Sequence, residues 1–259
     1  MATPCLEFPK SLWEKYAPET LDHFIGLDRA KAVFGSFVRK PFASAWLLLG
    51  PSGTGKTTMG LAVAKALNAE LHHVPSRSCD LETVESLAHL CQYVPLSGGF
   101  HLVLVDEADQ MTPAAQLAFL SKLDATAFPP NTIFIFTAND TRLLEQRFLS
   151  RLRLVEFGTQ GIEAGLVSYL KAIWNQETGR RNGIDLKAIC ESSDGNVRDA
   201  LMKLEVEILA HGVKAEPRIE RKPKPEVKTV YQERAAKAVA TREARIREKV
   251  LAEGMVSCK

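Results

Sequence analysis

The stretch Gly50-Pro51-Ser52-Gly53-Thr54-Gly55-Lys56-Thr57 has the pattern G-x-x-x-x-G-K-T, and the interpretation of the whole chain starts from it. It follows the apolar run 46–49 and precedes an Ala- and Leu-rich stretch with helical periodicity that ends at Leu67. Glycines let backbone N–H groups turn toward an anion, and a following helix directs its positive end to the same point. A plain flexible glycine turn would not explain the flanking strand and helix. The stretch therefore predicts a phosphate-binding loop.

The same spacing predicts the ligand. Lys56 is expected to reach the terminal phosphates of ATP, and Thr57 to supply a hydroxyl oxygen to Mg²⁺, a cation that is usually shared between few protein oxygens and the phosphates. Thr58, the next residue, completes the predicted nucleotide-binding set together with residues 50–57. ATP and Mg²⁺ are thus the expected ligands.

Composition limits the class of protein. Of the 259 residues 46% are hydrophobic, which is ordinary for a globular protein with a sizeable core. Five scattered cysteines without a C-x-x-C pair indicate neither a disulfide framework nor a zinc site, and they predict a reducing, intracellular compartment: the cytoplasm, with nucleoid or nucleus left open. No apolar run approaches the roughly 18 residues of a membrane span, so no membrane partner is expected.

Charge is distributed unevenly along the chain. The net charge is +2, but residues 214–259 hold 13 Lys and Arg against 7 Asp and Glu, a net +6, so that residues 1–213 carry 2 − 6 = −4. Prolines at 217, 223 and 225 predict an extended linker over 216–228, followed by one charged helix over 231–252. This basic tail is either a nucleic-acid contact or a solvated helix face.

Short apolar runs alternate with helical patterns through the first part of the chain, which predicts an α/β fold with a five-stranded parallel sheet. The strands are expected over 46–49, 71–74, 102–105, 133–137 and 152–157, and the helices over 56–67, 81–91, 113–123 and 143–149, with Thr112 as an N-cap before Pro113. After Phe157 only helical patterns remain, over 162–176, 186–190 and 197–211. We therefore predict a nucleotide-binding α/β domain over 1–158, a small all-helical domain over 159–213 and the tail over 214–259.

Polar residues follow two of the predicted strands. Asp106 and Glu107 end the third strand, at the sheet edge where ligands of open α/β sheets bind. Asp106 is expected to hold Mg²⁺ or its waters, and Glu107 to polarise the water that attacks the γ-phosphate. Asn139 follows the fourth strand, where its amide can hydrogen-bond that water or the phosphate.

These motifs occur in a recognisable order. The chain contains Trp13 to Asp22 (WEKYAPETLD), the phosphate loop, Asp106-Glu107-Ala108-Asp109, Thr137-Ala138-Asn139, Ser150-Arg151 and Gly195 to Leu201 (GNVRDAL). Over about residues 11–211 this order resembles the AAA+ ATPases of the clamp-loader group, in particular the small subunits of replication factor C.

The resemblance implies further roles. Tyr16 and Pro18 correspond to the segment that packs against adenine, and the sheet is expected to have the strand order 5-1-4-3-2. Arg151 matches the arginine finger that enters the ATP site of a neighbouring AAA+ subunit, in a homo- or hetero-oligomer. Arg198 matches the arginine through which the helical lid touches the γ-phosphate. DNA and a sliding clamp are the further partners that the resemblance implies.

The chain also departs from the family's pattern. Ala17 and Leu152 replace a usual arginine and cysteine, and Trp13 lies one residue closer to Glu14 than usual. Leu120 and Ser121 stand where the family carries a basic pair. After Gly212 the sequence shows the linker and charged helix instead of the family's helical collar domain.

Two functions are consistent with these residues. The first is an ATP-hydrolysing AAA+ protein of clamp-loader type in DNA replication or repair. The alternative is a weakly active, nucleotide-bound structural subunit that supplies Arg151 to a partner ATPase. A helicase interpretation of Asp-Glu-Ala-Asp is disfavoured, because such helicases have tandem RecA-like domains and this chain has room for one.

Overall fold

The computed structural model describes residues 10–96, 98–159, 161–179 and 183–211. All of them belong to one compact unit, Met1–Lys214. The second unit, Ala215–Lys259, lies outside the described residues, and so do the predicted linker over 216–228 and the predicted helix over 231–252.

One parallel five-stranded sheet forms the centre of this unit. Its strands are β1 (Ser44–Leu49), β2 (Glu70–Pro75), β3 (His101–Asp106), β4 (Thr132–Ala138) and β5 (Arg153–Glu156). Their order across the sheet is β2-β3-β4-β1-β5, and each neighbouring pair is parallel. Counted from the other edge this is 5-1-4-3-2, so the predicted fold class and strand order are confirmed.

Nine α-helices surround the sheet or follow it within the described residues. They are α1 (Leu12–Lys15), α2 (Asp28–Arg39), α3 (Lys56–Ala66), α4 (Leu81–Leu90), α5 (Pro113–Lys122), α6 (Gln146–Leu149), α7 (Glu163–Thr178), α8 (Leu186–Ser192) and α9 (Val197–His211). Helix α5 starts as predicted: the Thr112 hydroxyl accepts a hydrogen bond from the Ala115 N–H at 3.2 Å, and Pro113 occupies the first turn.

The sequence interpretation missed two helices, the short α1 and the longer α2, and misplaced the start of α6. Helix α2 was not predicted, although Ala30, Phe34 and Phe37 recur at helical spacing and are buried. Helix α6 begins at Gln146 instead of 143, because the preceding residues form a turn in which the Leu144 N–H bonds to the Thr141 carbonyl.

Strand side chains alternate between two apolar layers. In β1, Ala45 and Leu47 pack with α4, α5 and α6, while Trp46 and Leu48 pack with α2 and α3. Every residue of β4 is buried, because this strand is covered on both faces and flanked on both sides. The alternation fixes the register of the sheet, and the parallel direction of all five strands brings their carboxyl ends to one edge.

A separate apolar cluster holds α7, α8 and α9 together around Leu166, Leu170 and Trp174. Helix α1 joins it: Leu12 is buried there, and its N–H donates to Glu205 Oε1 at 3.1 Å. The boundary that we place between residues 158 and 159 remains a prediction. None of the helices in the described part of the chain is both long enough and apolar enough to cross a bilayer.

Candidate functional site

The predicted phosphate loop joins β1 to α3 at the carboxyl edge of the sheet. At two positions of this loop neighbouring atoms are so close that only glycine, which has no Cβ atom, fits. A Cβ atom on Gly50 would lie 2.1 Å from the Phe157 carbonyl oxygen, and one on Gly53, where φ is 74°, would lie 2.0 Å from Asn196 Oδ1. The loop is therefore packed against β5 on one side and against the start of α9 on the other.

Lys56 is the first residue of α3 and is only 8% exposed. Its Nζ donates to the carbonyl oxygens of Gly50 and Pro51, at 2.6 and 2.8 Å, and to Asn139 Oδ1 at 3.1 Å. Burial lowers the pKa of Lys56, while the charges of Asp109 and Asp106 act in the opposite direction. The ammonium group thus lies at the helix N-terminus, where an anion would be stabilised.

Thr57 and Asp106, the two predicted magnesium ligands, are in direct contact. The Thr57 hydroxyl donates to Asp106 Oδ1 at 2.7 Å, and the Thr137 hydroxyl donates to the same oxygen at 3.1 Å. His73 Nε2 lies 2.5 Å from the other oxygen, Oδ2. A hydroxyl and a carboxylate are the hard oxygen donors that Mg²⁺ prefers, so the residues present fit this ion.

Glu107 stands next to this pair in a left-handed backbone conformation, with φ at 54°. Its N–H donates to the Thr137 hydroxyl at 3.0 Å, and its exposed side chain lines the cavity at the phosphate loop. The Thr137 hydroxyl is therefore hydrogen-bonded both to the Glu107 N–H and to Asp106 Oδ1. Asp109 is buried behind them, and none of the described residues donates a hydrogen bond to its Oδ1.

Two cavities meet at the loop. The polar one is lined by loop and strand-end residues together with Arg198: Ser52, Gly53, Gly55, Lys56, Thr57, Thr58, Glu107, Thr137, Ala138, Asn139 and Arg198. The other is largely apolar and is lined by residues that include Trp13, Tyr16, Ala17, Pro18, Phe24, Thr54, Thr58, Tyr169, Arg198 and Leu201. Arg198 borders both, and its guanidinium carbon lies 5.3 Å from the centre of the Trp13 ring.

Tyr16 anchors the segment beside the apolar cavity. Its hydroxyl donates to Glu177 Oε1 at 2.5 Å, and the Tyr169 hydroxyl donates to the Tyr16 carbonyl at 2.7 Å. Burial, followed by the hydrogen bond to Glu177, raises the pKa of Tyr16 above the usual range of a phenol. The predicted adenine residues Tyr16 and Pro18 thus line the cavity that adjoins the phosphate loop.

Arg151 is the predicted site residue that lies apart from this group. It pairs with Asp124, with Nε and Nη2 at 2.7 and 2.6 Å from Oδ1, and its Nη1 donates to the Arg147 carbonyl at 2.9 Å. It is not among the residues that line either cavity. The other predicted residues of the loop, the strand ends, the N-terminal segment and α9 come together around the two cavities.

Sequence reasoning missed several participants. Thr137 was noted as a strand-end residue, but its role in joining Asp106 to Glu107 was not foreseen. His73 could have been found from the sheet order, because β2 is the neighbour of β3. Asn196 directly precedes α9, and asparagine is a preferred N-cap residue, so its capping role could have been predicted. Its Oδ1 accepts a hydrogen bond from the Asp199 N–H at 3.1 Å.

Comparison with known proteins agrees with this geometry. Residues 46–159 match the model of the ATPase family associated with various cellular activities (AAA). Replication factor C small subunit 2 of Pyrobaculum arsenaticum is 32% identical over 203 residues, which is 75% of this chain and 62% of that protein. Replication factor C subunit 3 of Blastobotrys adeninivorans is 31% identical over 202 residues, 74% of this chain and 58% of that protein. The chain thus spans about three fifths of the length of these curated relatives.

Solved structures show the same fold. A Thermotoga maritima RuvB described as a Holliday junction branch migration motor has a TM-score of 0.62 and 18% identity, covering 76% of this chain and 67% of that one. A single-residue variant of the same protein gives a TM-score of 0.62 and 19% identity, with the same coverage of both chains. The phosphate loop, the sheet order and the family match together identify an AAA-type ATPase domain over residues 46–159, in a chain that is similar to the small subunits of replication factor C.

Proposed function

We propose that this chain binds and hydrolyses ATP with Mg²⁺ as a clamp-loader type subunit of a multi-subunit AAA+ assembly that acts on DNA in replication or repair. Similarity to replication factor C small subunits supports the clamp-loader role, with a sliding clamp and DNA as partners. An intracellular location follows from that role.

One observation carries the proposal. Arg198, from the helical part of the unit, borders the same polar cavity as Lys56 of the phosphate loop and Glu107 of the sheet. A triphosphate placed there would meet charges from both parts of the unit, and the adjoining apolar cavity would take the base. Loss of the γ-phosphate would remove the group that Arg198 is placed to hold, which links hydrolysis to movement of α9.

The residues divide the chemistry between them. Lys56 neutralises phosphate charge, and its present contacts with the Gly50 and Pro51 carbonyls hold its place in the loop. Thr57 and Asp106 hold Mg²⁺, which supplies charge neutralisation on the phosphate oxygens when bound. Glu107 orients and polarises the attacking water, while the Asn139 amide positions the water or the γ-phosphate.

Arg151 is proposed to act on a neighbouring subunit. It lies outside the two cavities of its own chain, Asp124 and the Arg147 carbonyl accept from its three nitrogen atoms, and the side chain is 32% exposed. An arginine that reaches the γ-phosphate of a neighbour stabilises the charge that develops during transfer. The same observation is compatible with the second candidate function, a weakly active structural subunit whose main contribution is this arginine.

The Lys56→Ala substitution tests the proposal. It removes the buried ammonium group from the phosphate loop, so we expect loss of ATP binding and of Mg²⁺-dependent turnover, measured with and without primed DNA. Lys65→Ala is the matched control, since Lys65 lies on the same helix and is exposed. Two results would refute the hydrolytic function: turnover by Lys56→Ala equal to that of the wild type, or no ATP turnover by the wild-type assembly. If the wild-type assembly does not turn over ATP but a partner ATPase still requires Arg151, the structural-subunit function is favoured.

A further inference from the structure

A second cluster of metal-ligating side chains lies away from the nucleotide site. One ligand atom from each of His72, Cys91 and His101 lies within 4.8 Å of the other two, and His72 Nε2 is 3.1 Å from His101 Nδ1. Cys91 and His101 are buried, at 0% and 2% exposure, and His72 is half-buried. Within the described residues this is the one group of three or more His, Cys, Asp or Glu side chains with such spacing.

The fold brings these residues together at the amino end of the sheet. Glu70 is paired with His101 across β2 and β3, and His72 is two residues further along β2, so the three side chains share one face. Cys91 follows the last turn of α4, which packs on that face. The nucleotide site is at the opposite end of the same strands, where Pro75 is paired with Asp106.

A hydrogen bond prepares the His101 imidazole for a metal. His101 Nε2 lies 3.0 Å from the Tyr93 carbonyl oxygen, which can only accept, so Nε2 carries the proton and Nδ1 presents a lone pair. Metal-bound histidines typically donate their second N–H in this way.

Glu70 lies beside this cluster, outside the group of ligand atoms within 4.8 Å of one another, and is the carboxylate that we assign as the fourth ligand. Its Oε2 lies 3.8 Å from His101 Nδ1 and at present accepts a hydrogen bond from the Leu96 N–H at 2.6 Å. Two imidazoles, one thiolate and one carboxylate are a tetrahedral donor set of the kind that zinc takes in proteins. The nitrogen and sulfur donors also distinguish this cluster from the oxygen donors of Thr57 and Asp106, which suit Mg²⁺.

We propose that His72, Cys91 and His101, with Glu70 as the fourth ligand, bind a zinc ion that joins β2, β3 and the end of α4. Binding releases the Cys91 thiol proton to solvent and moves the His72 proton from Nε2 to Nδ1, so that both nitrogens and the sulfur donate electron pairs to the metal. The scattered cysteines of the sequence predicted no such site, because one cysteine and two histidines from different elements leave no spacing motif.

The competing explanation is a metal-free core cluster. In that case the His72–His101 contact is an ordinary hydrogen bond, and Cys91 is an inert buried thiol whose pKa burial raises to about 11. The two explanations differ in whether the Cys91 sulfur binds a metal ion as a thiolate. Absorption spectroscopy with Co²⁺ detects a sulfur–metal bond directly.

The test is titration of the full metal-free chain with Co²⁺, followed by Zn²⁺. We expect one equivalent to give the visible bands of a tetrahedral site and a sulfur-to-cobalt charge-transfer band, which Zn²⁺ then abolishes. Cys91→Ser should lose the charge-transfer band, and His72→Gln should weaken Zn²⁺ binding at least about tenfold. Cys190→Ser and His89→Ala are the matched controls: Cys190 is buried in the helical cluster, and His89 is an exposed residue of α4.

His72 is half-buried, so we expect its replacement to leave the core intact, and ATP binding equal to that of the wild type would show that His72→Gln is folded. Absence of the charge-transfer band in the wild-type chain would overturn the proposal. So would its persistence in Cys91→Ser, or Zn²⁺ affinity in His72→Gln equal to that of the wild type.

Discussion

The packing of the phosphate loop leaves no space for a side chain at Gly50. A methyl group there would lie 2.1 Å from the Phe157 carbonyl oxygen, and this oxygen belongs to the backbone directly after β5. The neighbouring backbone must therefore shift to accept any side chain, and the loop would shift with it.

We predict that Gly50→Ala lowers the free energy of unfolding by about 1–3 kcal/mol, because overpacking forces backbone movement. Gly35→Ala is the matched control. Gly35 lies inside α2 with no heavy atom within 4 Å of an added Cβ, so alanine should raise stability by about 0.5–1 kcal/mol. Urea unfolding of both variants measures the two changes, and equal effects of the same sign would contradict this packing.

Among single residues, the sequence predicted those whose roles follow from a local motif. Thr57 contacts Asp106 and Lys56 contacts Asn139 because the phosphate loop and these strands end at the same edge of the sheet; the roles of these residues stay predictions. Thr137 and Asn196 could not be assigned roles from the sequence, since their contacts with Asp106 and Gly53 depend on distances between separate elements.

At the scale of elements, the short N-terminal segment is attached to α7 by side chains. The Tyr16 hydroxyl donates to Glu177, whose pKa is lowered although burial alone would raise it, because Tyr16 and Lys15 hydrogen-bond to its carboxylate. The Lys15 ammonium is 2.9 Å from the same carboxylate oxygen. These contacts hold one wall of the apolar cavity.

We predict that Tyr16→Phe costs about 1.5–3 kcal/mol of stability near neutral pH, the range for a hydrogen bond to a charged group. The folded state raises the pKa of Tyr16 above its ordinary value of 10.0, so this contribution is complete below pH 10.0 and declines as pH rises beyond it. Unfolding in urea at a series of pH values should show wild type and variant converging only in strong alkali. Tyr93→Phe serves as the exposed control. If the wild type kept its full excess in free energy of unfolding over Tyr16→Phe in strong alkali, the role of the phenol proton would be contradicted.

The apolar runs of the sequence predicted all five strands, whereas two helices were missed and the start of a third was misplaced. Each of the five strands is a short run with apolar residues, separated from the next by a polar or helical segment. Helix α2 was missed although its buried positions are regularly spaced, because it precedes the phosphate loop and no motif drew attention to it. The start of α6 was misplaced because the turn at Thr141–Leu144 has the same apolar content as the helix.

At the scale of the whole molecule, the proposed function requires a site completed by a neighbouring subunit. We predict that assemblies of Arg151→Ala chains lose most ATP turnover, whereas Arg39→Ala, an exposed control at the end of α2, does not. Mixing Arg151→Ala with Lys56→Ala chains should restore about one quarter of the wild-type rate, because random assembly gives that share of interfaces with both residues intact. Full turnover by Arg151→Ala assemblies would contradict the shared site.

The central claim is that Glu107 activates water for hydrolysis of ATP bound at the phosphate loop. The most direct test is to measure ATP affinity and turnover of the assembled protein in Glu107→Gln, with Glu85→Gln on the exposed face of α4 as the control. The amide keeps the shape of the side chain but cannot take a proton, so we predict unchanged ATP affinity and turnover reduced about 10²- to 10⁴-fold. Turnover by Glu107→Gln equal to that of the wild type would contradict this role.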